Sequence, residues 1–102
     1  MIKNDRFWTA IVALVTYEKD VRHRVVLACQ ILDKMQKDEL PKHLYERLEE
    51  IKEQAGKKGA LRNVDGNVIK DRYENTITLR KNRTYSKLAG KIFSVYEEFN
   101  SN

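Results

Sequence analysis

The chain has 102 residues and a mass of 12.0 kDa, one domain's worth of polymer and too little for two independent cores. With 41% hydrophobic residues, 34% charged residues and one proline, the composition excludes a membrane-embedded protein and wholesale disorder, and points to a soluble globular domain. The net charge of +5 is unevenly laid out. Residues 1–55 hold ten Lys/Arg against ten Asp/Glu, whereas residues 56–102 hold ten against five, so a charge-balanced helical half precedes a basic half.

In chain order, Phe7, Ile11, Leu14, Val21, Val25, Ala28, Leu32 and Met35 keep the spacing of one helical face, interrupted at Glu18. One long helix and two helices broken at Tyr17–Asp20 both fit. The broken form is preferred, because Phe7, Trp8, Ile11, Val12, Leu14 and Val15 cover more than one stripe and imply a deeply packed first helix. The apolar run from Phe7 to Val15 is less than half of the roughly 20 residues that cross a bilayer, and no small-residue cleavage site follows it. Pro41 suits the first turn of a third helix whose buried face is Leu44, Leu48, Ile51 and Ala55, whose outer face is Glu46 to Glu53, and whose left-handed stop is Gly56. Gly56-Lys57-Lys58-Gly59 then reads as an exposed joint.

Residues 60–82 leave two options: a hairpin turning at Asp65-Gly66, or a polar loop leading to a short helix around Val68–Glu74, with Ile77-Thr78-Leu79 as a further strand-like stretch. Tyr85, Leu88, Ala89, Ile92, Phe93, Tyr96 and Phe99 mark a last helix, with Asn82 or Thr84 as its cap. The expected fold is mainly α: a single domain over residues 1–102, built as a compact helical bundle of three to five helices, with a short β-hairpin within 60–82 as an option.

Function is read mainly from residues 56–91, where Lys57, Lys58, Arg62, Lys70, Arg72, Arg80, Lys81, Arg83, Lys87 and Lys91 face only Asp65, Asp71 and Glu74. Lysine and arginine release the counterions condensed on a phosphate backbone, and tyrosines stack on bases or bind phosphate. The candidate nucleic-acid or anion-binding residues are therefore Lys57, Lys58, Arg62, Arg72, Tyr73, Arg80, Lys81, Arg83, Tyr85 and Lys87. The same charges also suit a solvated face or a surface that docks an acidic protein. Arg22-His23-Arg24 fans around a helix and reads as a solvated rim.

Catalytic signals are missing. Cys29 is the only cysteine, which excludes an intramolecular disulfide, fits a reducing cytoplasm and, in an apolar helix, reads as a small buried side chain and not as a nucleophile. His23 and His43 lack metal-ligand spacing, and no Walker or Rossmann glycine pattern occurs, so neither metal nor cofactor is expected and the protein reads as non-enzymatic. A pocket lined by His43, Arg47 and the glutamates of the third helix is the arrangement that would reopen an enzymatic reading. The aromatics Phe7, Trp8 and Tyr17, and Phe93, Tyr96 and Phe99, read as core first and as a partner-binding face second. The leading expectation is a small binding or regulatory protein that engages nucleic acid through its basic half. The alternative is an inhibitor, immunity or adaptor module docking an acidic or apolar protein surface, and at this size a homodimer would add stability to either.

Overall fold

A computed structural model describes residues 5–77 and 81–101. Its elements are α1 (Asp5–Thr16), α2 (Val21–Leu32), a 3-10 turn (Lys37–Glu39), α3 (Lys42–Ala55), β1 (Leu61–Arg62), β2 (Val68–Lys70), α4 (Arg72–Thr76) and α5 (Asn82–Asn100). The chain is thus a mainly helical bundle carrying one two-stranded antiparallel hairpin.

The break between α1 and α2 falls at Tyr17–Asp20, and Asp20 shows why. Its backbone is extended (φ −66°, ψ 171°), and its carboxylate accepts the His23 backbone N–H, filling one of the N–H groups that a helix start leaves without a partner. His23 Nδ1 and Arg22 Nη2 each lie 3.0 Å from the same carboxylate and hold its pKa well below the ordinary aspartate range. A four-residue loop leaves α1 and α2 antiparallel. Arg6, near the start of α1, accordingly donates to the Lys34 carbonyl just past the end of α2. Helix α3 begins at Lys42, one residue later than a proline in the first turn would place it, with Pro41 as its N-cap. Its buried side chains include the expected Leu44, Leu48, Ile51 and Ala55.

Gly56 ends α3 at φ −114°, not in the left-handed region. A glycine is needed there for space, because a Cβ would stand 2.6 Å from Cγ and Cδ of Arg72. The left-handed glycines are Gly59 (φ 78°) and Gly66 (φ 83°), the second of them in the hairpin turn. Residues 60–82 hold the hairpin, in which β1 pairs with β2 through Leu61↔Lys70 and Arg62↔Val68 with an irregularity between Leu61 and Arg62; a short helix, α4, follows, but it starts at Arg72 and not at Val68, because Val68–Lys70 is strand. Asp71 and Glu74 form a reciprocal capping box at the start of α4, and Gln30 ties Asp71 to α2 at 2.7 Å. Ile77 continues in helical conformation; Thr78 and Leu79 lie outside the described residues. The cap of α5 is Lys81, with no side-chain cap bond, and not Asn82 or Thr84.

One core joins all the α-helices: Phe7, Ile11 and Leu14 from α1, Val25, Cys29 and Leu32 from α2, Leu44, Leu48 and Ile51 from α3, Tyr73 from α4, and Tyr85, Leu88, Ile92 and Val95 from α5. Phe7 is closed over by Tyr96 at 5.0 Å, edge on, and by Phe99 at 6.0 Å, stacked. Three of the six expected core aromatics are exposed: Trp8 at 47% on α1, Tyr17 at 41% in the loop after it, and Phe93 at 41% on α5. With Val15 also 58% exposed, α1 is packed on one stripe only. Phe93 lies one residue past the buried Ile92, about 100° around the axis, which carries its ring off the core-facing side.

Candidate anion-binding surface

Nine of the ten candidate residues separate into three groups. The first lies on α5. Arg83 and Lys87, with Lys91 as a third rung, are exposed at four-residue intervals on α5; the row drifts toward α3, where Lys91, one turn before the buried Val95, lines a groove with Arg47, Glu50 and Gln54. Between Asn82 and Tyr96 the helix carries no acidic residue, and none of the three cations is ion-paired to another described residue. Lys81 stands exposed at the same end. Lys91 belongs to this stripe although it was not among the ten candidates; its i, i+4, i+8 relation to Arg83 and Lys87 is the signal that finds it.

The second group surrounds the hairpin. Lys57 and Lys58 are exposed in the turn after α3, where the Lys58 backbone N–H donates to Thr76 Oγ1 at 2.9 Å. Arg62 spends its guanidinium on the Gly66 carbonyl at 2.8 Å, closing the hairpin loop. Lys70 is exposed on β2. Lys57 sits beside Glu50, Glu53 and Gln54, so α3's acidic outer face neutralises part of this cluster.

The third group is interior, which corrects the expectation for both tyrosines. Tyr73 is 1% exposed and Tyr85 0%, so neither offers a ring to a base or a phosphate. Burial pushes the Tyr73 hydroxyl well above the ordinary tyrosine range, and it donates to Asp33 Oδ1 at 2.7 Å. Arg72 lies over the Tyr73 ring at 4.8 Å, donates to its hydroxyl at 2.8 Å and stands 3.5 Å from Asp33, so it serves the fold. Lys52, its side chain 8% exposed, completes the network with Asp33 at 3.3 Å and with Glu49. Burial works against the lysine's charge, but the two carboxylates outweigh it and raise its pKa. Arg80 lies outside the described residues.

The chemistry weighed for catalysis is dispersed. Burial pushes the Cys29 thiol up to about 12, and we expect native protein not to react with a disulfide reagent at neutral pH while denatured protein reacts with one equivalent. Rapid colour release from folded protein would contradict the buried placement. His43 and Arg47 do converge, through Glu98 at 3.1 Å and 2.6 Å, but as an exposed clasp between α3 and α5. Arg47 and then His43 hold the Glu98 carboxyl below its ordinary value, so Glu98 is ionised at neutral pH and its pairing is lost as pH falls through that lowered value. A cleft of ≈ 370 Å³ between α2 and the β2–α4 segment is lined by Tyr17, His23, Gln30, Ile69, Lys70 and Glu74, among others. Among the described residues no group of three or more His, Cys, Asp or Glu could hold a metal ion, and no helix is long and apolar enough to cross a membrane. No protein-family model matches the chain, and neither does any curated protein or solved structure.

Proposed function

We propose that this protein is a non-enzymatic binder of polyanions, with the phosphate backbone of a nucleic acid as its ligand. The observation that supports this reading is the exposed stripe Arg83, Lys87 and Lys91, which no acidic residue of α5 interrupts and which has Glu50 of α3 beside its Lys91 end. Each step of four residues advances ~6 Å along the axis, so the stripe spans ~12 Å, three or four phosphates of one strand at ~3.4 Å of axial rise each. Lys81 extends it, and Lys57, Lys58 and Lys70 are the remaining exposed cations that a wrapped strand would meet. With Tyr73 and Tyr85 in the core, base stacking by these two rings drops out of the reading. Recognition then rests on phosphate contact, which makes binding salt-dependent and weakly selective for sequence. The free, buried Cys29 is in keeping with work in a reducing cytoplasm.

The test is an anisotropy titration against random-sequence single and double strands at several salt concentrations. Arg83→Ala/Lys87→Ala/Lys91→Ala is expected to lower the log–log salt slope by about 2 to 3 and to weaken binding on every sequence alike. Lys34→Ala/Lys37→Ala, which removes the same kind of charge from the first half, should change little. An unchanged slope in the triple variant would refute the assignment.

A second reading, a module that docks a protein, is favoured by a different observation. Leu61, Val64, Val68 and Ile69 leave apolar side chains exposed on the hairpin. That reading predicts weak, shallow-sloped nucleic-acid binding in the same titration.

A further inference from the structure

Helix α1 carries more apolar surface than the fold uses. Phe7, Ala10, Ile11 and Leu14 point into the core, while a second stripe, Trp8, Val12 and Val15, runs along the outside at i, i+4 and i+7. Trp8 is 47% and Val15 58% exposed, and Val12 between them is half-buried. At one end the stripe continues onto α5, where Trp8 lies 6.0 Å from the half-buried Tyr96 ring. From Phe7 to Tyr17 there is no charged residue, and the stripe is flanked by the exposed hydroxyls Thr9 and Thr16.

We propose that this face is the interface of a homodimer, in which α1 of one copy packs antiparallel on α1 of another. Two features argue for a second copy as the occupant. In a chain of net charge +5, an uncharged face is where two copies can meet without bringing like charges together. The stripe is also complementary to itself when reversed: with Val12 at the two-fold axis, the large Trp8 of each copy covers the small Val15 of the other, whereas a parallel arrangement stacks tryptophan on tryptophan. Half of a tryptophan and two valines with their polar rim amount to a few hundred Å² per copy, below the ~800 Å² per partner of a standard interface. The dimer is therefore a weak one, with Kd on the order of 100 μM.

The test is sedimentation equilibrium of the whole chain from about 5 μM to about 500 μM, bracketing that Kd, at low and high salt. Fluorescence is followed in parallel, since Trp8 is the only tryptophan and its emission reads burial of this face directly. We expect dimer to grow with concentration, the emission to move to the blue in step, and salt to leave association unchanged or strengthen it. Polyanion binding by α5 is weakened by salt, so the two proposals fail separately. Val15→Lys should weaken association at least tenfold while leaving the thermal midpoint within a few degrees, because Val15 contributes little to the monomer core. Trp8→Arg, read by sedimentation alone, should do the same. A chain that stays monomeric throughout the range, a dimer that survives both substitutions, or one that salt dissociates would each overturn the proposal, and the last two would move the interface to another surface.

Discussion

Phe7→Ala is expected to cost about 3–5 kcal/mol of folding free energy, the largest effect of any single truncation considered for this chain. Phe7 is 0% exposed and sits where the N-terminal end of α1 meets the C-terminal end of α5, with Tyr96 edge on at 5.0 Å and Phe99 stacked at 6.0 Å. Alanine there removes the transfer free energy of the ring, two aromatic contacts, and the fill of a site walled by two helices that cannot both collapse inward. Against a total of about 5–15 kcal/mol for a domain, such a loss leaves little margin. Phe93→Ala is the contrast. Its ring is half in water already, and truncation should cost under about 1 kcal/mol, although helical spacing alone puts Phe93 on the same footing as Tyr96 and Phe99. Urea unfolding of the two variants distinguishes them by midpoint, and similar midpoints would show that Phe7 is not held as described.

Asp33→Ala is expected to cost about 2 kcal/mol, less than the 3–5 typical for breaking a fully buried pair because the aspartate itself is partly solvated. Asp33 is the acceptor on which Lys52, Tyr73 and Arg72 converge, at 3.3 Å, 2.7 Å and 3.5 Å. Its removal leaves the hydroxyl of the buried Tyr73 without its acceptor, and leaves Lys52 with Glu49 alone. The cost is thus largely one of stranded donors, which makes a second expectation. Lys52→Met in the Asp33→Ala background should recover part of the loss, since it withdraws a buried charge and keeps the aliphatic fill. A double-mutant cycle measured by denaturant unfolding checks this. Strictly additive costs would mean that Asp33 and Lys52 do not depend on each other.

Much of the architecture is legible along the chain because its causes are local. Asp20 halts one helix and caps the next, Pro41 and Gly56 bracket α3, and Gly66 turns the hairpin. The region 60–82 was harder. Its hairpin is two and three residues per strand and its helix five, lengths at which periodicity carries almost no information, and the helix lies after the hairpin and not around Val68–Glu74 in its place. The candidate surface was legible only as charge. Composition marks the basic segment, but nothing local separates Arg72, turned onto Tyr73 and Asp33, from Lys87, turned outward.

The sequence by itself determined that the chain is mainly helical, which apolar residues share a face, and that the positive charge is concentrated after residue 55, since each of these depends on composition or on neighbours within a turn or two. Only the tertiary structure decided which of the two apolar stripes of α1 turns inward, that Tyr73 and Tyr85 belong to the core, and that Phe93 does not. Periodicity supplies a helix with a face but not with a partner, and burial is a property of what the folded chain brings against that face from tens of residues away.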